Sequence, residues 1–320
     1  MIDPDRTYED VAVLVPCYNE AVTIAKVVDD FRRCLPGADV WVYDNNSSDG
    51  TGEIARVHGA RVVPEPRQGK GNVVRQMFRD LDYTCYLMVD GDDTYPAEAA
   101  PALVAPILEG AADHVVGDRL SNGSYGDENG RAFHGFGNDL VRWLIKVLYH
   151  FEYADVMTGY RAMSRAFVKT LPVLSPGFEI ETELSIHAVD KRWRIAQVPI
   201  DYRDRPEGSV SKLSTFSDGA KVLRMIASLF KDYKPLGFFS LLALIMLAVG
   251  LCLGVPVIVE FRATGLVPRL PTAILATAFC GLAALLLACG LILDTEVKAS
   301  RRDWELRVYE EYERERKERS

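Results

Sequence analysis

Between residues 236 and 293 the chain is almost uniformly apolar, broken only around residues 260–269. Crossing the hydrocarbon core of a bilayer takes about 20 apolar residues. The stretch holds two segments of that kind, 236–261 and 270–293. A buried helical hairpin of a soluble protein is the alternative, and the length of the segments and their lack of charge weigh against it. Lys231 and Lys234 precede the first segment; Lys298, Arg301 and Arg302 follow the second. The positive-inside rule then predicts a multi-pass protein of the inner (cytoplasmic) membrane with both termini in the cytoplasm. The short linker carrying Glu260, Arg262 and Arg269 would lie outside.

The remaining residues are of a different material, so the chain's 48% hydrophobic content is an average of two kinds of segment. They suffice for one soluble domain of roughly 200 residues. A formal net charge of −8 makes nucleic acid an unsuitable partner, because phosphate backbones demand basic surface. Any anionic ligand must be held by a few local cations or a metal. The six cysteines show no spacing of a disulfide framework or zinc site and read as small hydrophobes in a reducing compartment. The polar, acidic residues 1–10 do not read as a signal peptide.

Short β-branched runs at 11–15, 40–43, 61–63, 85–89, 114–116 and 195–200 read as strands. Helical periodicity falls between them at 23–35, 51–58, 71–81, 96–108 and 181–189. This alternation suits βαβ units and a parallel sheet, in which ligands bind at the carboxyl ends of strands. The polar clusters after strands one, two and four fall at those ends. Residues 118–137 read as a long loop, and a helix is predicted over 138–149. Residues 216–230 carry an apolar face interleaved with Lys221 and Arg224, as in an interfacial helix. The expected division is a cytoplasmic α/β domain at 1–212, a juxtamembrane amphipathic helix at 213–234, the two spans within 235–294, and a charged tail at 295–320. The tail's charges balance, so it reads as a solvated helix with no assigned chemistry.

Four polar features carry chemistry. Pro16-Cys17-Tyr18-Asn19-Glu20 follows the first strand and can place Tyr18 near a base and Glu20 near a ribose or uracil edge; a plain strand-to-helix turn is the other reading. Asp44 ends the second strand, where a carboxylate can hold a nucleoside, and the following Asn45–Asp49 residues also suit Asx turns. Asp90-Gly91-Asp92 ends an apolar strand. Two carboxylates one residue apart there can bind Mg²⁺ or Mn²⁺, which would bridge a diphosphate. Arg203 through Lys212 forms a basic segment whose cations can clamp a departing diphosphate.

As an ordered set, P-x-Y-N-E, D-N-x-S-x-D-G-T, D-x-D and R-x-x-G-x-S-K resemble glycosyltransferase family 2, of GT-A fold. The group includes dolichyl- and polyprenyl-phosphate glycosyltransferases, and the resemblance covers roughly residues 11–236. It implies a Rossmann-like nucleotide-sugar-binding domain, with Pro16, Tyr18, Glu20 and Asp44 at the nucleoside and Asp90 and Asp92 at metal and diphosphate. It places Arg203 and Lys212 at the donor phosphates and Ser209 and Ser211 on a closing loop. Arg119, in Gly117-Asp118-Arg119, would hold the acceptor phosphate, with Arg131 and His134 as looser matches. Gly159, Arg161 and Glu183 would line the sugar pocket, while Glu181 replaces a frequent Gln. The bacterial two-span relatives imply UDP as carrier and a homotetramer. Val189 stands where processive synthases carry the Gln of Q-x-x-R-W, which argues against a polymerising enzyme.

The implied reaction is inverting transfer of a sugar from a nucleotide-sugar to polyprenyl phosphate, for a cell-envelope glycan or glycolipid. An acceptor phosphate is already ionised near neutral pH, so positioning and charge neutralisation suffice. The alternatives are transfer to another lipid, whose hydroxyl would need a base such as Glu181 or Glu183, or a catalytically silent nucleotide-sugar-binding membrane module.

Overall fold

The computed structural model describes residues 7–121, 142–143, 145–147, 149–203, 206, 228 and 230–318. Of the helix expected at 138–149, residues 142–143, 145–147 and 149 are described and helical; of the one expected at 216–230, residues 228 and 230 are described, both helical. The chain divides into a sheet unit, Met1–Gly219 with Arg307–Ser320, and a helical unit, Ala220–Leu306.

The sheet unit alternates strand and helix: β1 (Val11–Cys17), α1 (Ile24–Cys34), β2 (Asp39–Asp44), α2 (Thr51–Val57), β3 (Arg61–Pro64), α3 (Lys70–Asp80), β4 (Cys85–Met88) and α4 (Ala100–Leu108). Then come β5 (His114–Asp118), β6 (Arg161–Ser164), α5 (Arg165–Thr170), α6 (Ile180–Asp190) and β7 (Ile195–Pro199). The seven strands lie in the order β3-β2-β1-β4-β6-β5-β7. Residues 11–15 of β1 and all of β4 are buried, which is why they read as continuous apolar runs rather than alternating ones. Each such Val or Leu contributes about 1.5–3 kcal/mol on burial. Helix α1 lays Ile24, Val27, Val28 and Phe31 on this core.

The sheet is mixed, not parallel throughout. Strand β6 runs antiparallel to both neighbours, with Met88 opposite Arg161 and Val116 opposite Arg161. The sequence reading took Thr158-Gly159-Tyr160-Arg161 as a pocket element and gave it no strand; four residues are too few to show a period. The reversal has a consequence for the site. The other six strands deliver their carboxyl ends to one edge of the sheet, and β6 delivers its beginning there.

The helical unit contains α7 (Pro235–Thr264) and most of α8 (Leu270–Glu318), both long and apolar enough to cross a membrane. They pack through small residues. A Cβ on Gly250 would lie 2.7 Å from Cys280 Sγ, and one on Gly290 would lie 3.0 Å from Phe239 Cβ. Glycines let two apolar helices approach closely where no hydrophobic drive separates helix from lipid. The charged tail continues α8 without a break, and from Arg307 it belongs to the sheet unit.

Two histidines are enclosed in the sheet unit, stacked on or edge-on to Phe167. Burial, aided by the Lys191 charge, pushes His187 from 6.5 down to about 3. Burial beside Arg161 likewise holds His114 well below its ordinary value. The unfolded chain therefore takes up protons that the folded chain refuses. Stability from these groups is complete above pH 6.5 and is lost as pH falls toward about 3. The melting temperature of the purified protein should decline steadily below that pH, and His187→Gln should give a shallower decline in the same scan.

Candidate functional site

The sheet edge gathers the polar loops because the strand register sets their ends side by side. Cys17 lies opposite Asp44, Asp44 opposite Pro64, and Leu14 opposite Met88. The loops are then bonded to one another. Asn19, in a left-handed conformation with φ 53°, donates its N–H to Ser47 Oγ at 2.9 Å and accepts from the Ser48 N–H at 2.8 Å. The Glu20 N–H donates to Thr51 Oγ1 and the Ala21 N–H to Asp49. Asp44 takes part in the turn that follows it: its Oδ1 accepts from the Ser47 N–H at 3.0 Å. A Cβ on Gly52 would sit 2.9 Å from Asp44 Oδ2. Pro16 is half-buried at the end of β1, while the Tyr18 ring is 39% exposed, open to stacking.

The D-x-D element follows β4. Gly91 is required there, because a Cβ would stand 2.7 Å from Cys17 Sγ. Thr23 Oγ1 donates to the Gly91 carbonyl at 2.6 Å. Asp92 is buried, and its Oδ1 accepts from Thr94 Oγ1 at 2.6 Å. Lys26 pairs with Asp93 at 2.7 Å, on the outer side of the turn.

At the centre is a residue the sequence reading passed over. Lys70 opens α3, and its ammonium bridges Asp90 and Glu181, 2.5 Å from Glu181 Oε1. Burial alone would lower the Lys70 pKa; the two carboxylates outweigh it and hold the ammonium well above its usual range. Burial pushes the Glu181 carboxyl up, and the opposing pull of Lys70 does not cancel it. The available signal was Gln68-Gly69-Lys70-Gly71, the polar cluster after strand three. The glycines are dictated by contact: a Cβ on Gly71 would stand 1.9 Å from the Ser175 carbonyl.

Other assignments change role on the structure. Arg161 is wholly buried, and its guanidinium donates to the Thr158 and Val156 carbonyls and to Ser185 Oγ. It frames the 156–158 loop rather than facing a donor. Glu183 accepts from the Leu174 and Ser175 N–H groups, both at 2.9 Å, so it fixes that loop, and Glu181 is the carboxylate that meets Lys70. Arg119 makes two bonds to Asp155, at 2.6 and 3.1 Å, and its guanidinium lies near the rings of Tyr95 and Tyr202. Its charge is already matched within the protein. The Tyr95 hydroxyl accepts from the Gly159 N–H at 2.9 Å, tying the D-x-D loop to the start of β6. Arg203 donates its backbone N–H to the Thr94 carbonyl at 2.9 Å, and its side chain pairs with Glu98. Arg131, His134, Ser209, Ser211 and Lys212 lie outside the described residues.

Among the described residues, no group of three or more His, Cys, Asp or Glu side chains gathers as a metal site. Asp90 and Asp92 alone make an all-oxygen, partial donor set. That fits Mg²⁺ or Mn²⁺, which bind through one or two carboxylates and take their other ligands from phosphate and water.

With this geometry in view, the comparisons are specific. The family profile described as "Glycosyl transferase family 2" matches residues 12–171. "Glycosyltransferase AglJ" of Haloferax volcanii is 35% identical over 256 residues, covering 80% of this chain and 83% of that protein. The "Dolichyl-phosphate hexose transferase" of the same organism is 33% identical over 222 residues, covering 69% of this chain and 94% of that one. Among solved structures, glucosyl-3-phosphoglycerate synthase from Mycobacterium tuberculosis, in complex with Mn²⁺, UDP and glucosyl-3-phosphoglycerate, superposes with a TM-score of 0.55 at 26% identity. It covers 71% of this chain and 80% of that one.

The tightest approach in the site makes a direct test. A Cβ on Gly159 would lie 2.5 Å from Asp90 Oδ2. Gly159→Ala should therefore destabilise the protein by about 1–3 kcal/mol in chemical denaturation.

Proposed function

The chain belongs to glycosyl transferase family 2, and from that premise we propose that it transfers a sugar, with inversion, from a UDP-sugar to the phosphate of a polyprenyl lipid. The observation that carries the reading is the joining, in one chain, of the Lys70–Asp90–Glu181 cluster at the sheet edge with two helices long enough to cross a membrane. UDP as carrier is supported by the UDP-bound synthase structure, and a lipid phosphate acceptor by the dolichyl-phosphate relative.

In this reading Tyr18 stacks on the base while Asp44 and Glu20 hold the nucleoside. Asp90 and Asp92 would hold Mg²⁺ or Mn²⁺, which when bound neutralises the departing diphosphate. Thr94 holds Asp92 through one carboxylate oxygen. Lys70 holds Asp90 and Glu181 side by side, with Asp90 against the Gly159 backbone, so that their oxygens face the sugar hydroxyls. Arg203 is fastened to the Thr94 carbonyl, and the cations from there to Lys212 would clamp the diphosphate. Arg119, aligned by Asp155, is a positioning residue for the Tyr95 hydroxyl and a secondary source of positive potential for the acceptor phosphate. That phosphate is its own nucleophile, so no strong base is needed. The work lies in alignment and in charges set before reaction.

A second reading is transfer to a soluble phosphorylated hydroxy acid, favoured by the fold shared with the phosphoglycerate-binding synthase. Glu181 Oε1 is already engaged by Lys70, and the apolar helices have no role in that chemistry.

The test is incubation of full-length protein with Mn²⁺ or Mg²⁺, a panel of UDP- and GDP-sugars, and either undecaprenyl phosphate or 3-phosphoglycerate. Lipid-dependent release of nucleoside diphosphate with one donor is expected. Asp92→Asn should lower it by on the order of 10²-fold or more. Release that follows phosphoglycerate instead would replace the lipid acceptor.

A further inference from the structure

The C-terminal segment read as a solvated helix does not behave as one. The chain leaves the sheet unit at Gly219 and rejoins it at Arg307. Within the rejoined segment, Val308 and Glu311, three residues apart and so on one helical face, are buried, whereas Tyr309, Glu310 and Arg314 are exposed. A glutamate on the buried face of a charged helix needs a partner, because an uncompensated buried carboxylate is costly. Glu311 has one: its Oε1 faces Arg165 Nη1 at 2.8 Å, as an ion pair. Arg165 is itself 8% exposed, and its Nε and Nη2 grip Asp82 at 2.6 and 3.1 Å. Arg314 lies 3.5 Å from the other oxygen of Glu311, so the charges alternate from Asp82 through Arg165 and Glu311 to Arg314. At the residue after Glu311, the Tyr312 hydroxyl comes within 3.5 Å of Asp113, a carboxylate held by Arg194.

These groups belong to a part of the sheet remote from the D-x-D loop. Arg165 follows β6 at the end where Ser164 lies opposite Cys85, the beginning of β4, whereas Asp90 and Asp92 follow the end of β4. The surface is thus separate from the donor site, yet it sits on the two strands that carry that site.

We propose that the surface formed by Asp82, Arg165 and Asp113 is a docking site for the chain's own C-terminal helix, residues 307–318, which completes the catalytic domain after both apolar helices have been made. The docking is intramolecular and is held chiefly by the Glu311–Arg165 pair. The domain is complete only once residues 307–318 have been made.

The test uses full-length protein in lipid nanodiscs and hydrogen exchange read by mass spectrometry. In the wild type the amides of 308–316 exchange as slowly as those of α5, at any protein concentration. Glu311→Lys, which sets a cation against Arg165, speeds their exchange at least tenfold, and tryptic cleavage after Arg314 rises in parallel. Arg165→Gln, on the other side of the pair, opens the same tail amides. Glu313→Lys, at a position whose ion pair among the described residues is with Arg316, leaves them protected. Fast tail exchange in the wild type, or equal effects of Glu311→Lys and Glu313→Lys, would overturn the docking. Protection that falls on dilution would overturn its intramolecular form and assign the surface to a second copy's tail. The wild-type exchange and dilution series decide the matter even if a variant fails to fold.

Discussion

A buried carboxylate, Glu181 on α6, and a half-buried one, Asp90 after β4, approach one another only because the Lys70 ammonium from α3 stands between them. Without that cation the pair would repel, and the cheapest relief would be protonation of one or separation of both. Removing one partner of such a buried group costs about 3–5 kcal/mol, most of it the penalty on the charges left behind. The contact therefore fixes where α3, α6 and the D-x-D loop meet. Gly71 and Gly159 follow from it, since each stands where a side chain would collide with the 175–176 backbone or with Asp90.

The rest of the edge is arranged around that centre by backbone bonding more than by side chains reaching for a ligand. Asn45 donates to the Glu65 and Arg67 carbonyls and accepts from the Gly69 N–H, so the second loop positions the one that carries Lys70. The Tyr95 hydroxyl fastens the D-x-D loop to Gly159, and the Thr94 carbonyl fastens it to Arg203. Arg161 and Glu183 bind loop backbone from beneath. A glycosyltransferase needs its donor and acceptor contacts held to within fractions of an ångström. This mesh of buried, satisfied polar groups is the means by which loops acquire the rigidity of the sheet.

Much of this was legible in the sequence. The buried strands announce themselves as apolar runs, and Asp44 and Asp90-Gly91-Asp92 stand at their ends, where a parallel sheet presents ligands. The two apolar helices are evident from length alone. What escaped was of two kinds. Strand β6 is short and reversed, and only its pairing with β4 and β5 defines it, so no local period marks it. Lys70, Glu181 and Glu311 owe their roles to partners 20, 111 and 146 positions away in the chain, and charge spacing along a helix is blind to such contacts. That Arg161 and Glu183 brace loop backbone is likewise invisible in the sequence, because a polar residue lining a pocket and one bracing it look alike there.

The central claim is that the Lys70 cluster is the donor-sugar site. It is tested most directly by calorimetric titration of the preferred nucleotide-sugar, with Mn²⁺, into wild-type and Lys70→Gln proteins, with melting temperatures measured alongside. The account predicts a folded variant of lowered stability that binds the nucleotide-sugar roughly tenfold or more weakly, because Asp90 and Glu181 no longer hold their places. A folded Lys70→Gln protein that binds the donor as tightly as the wild type would contradict it.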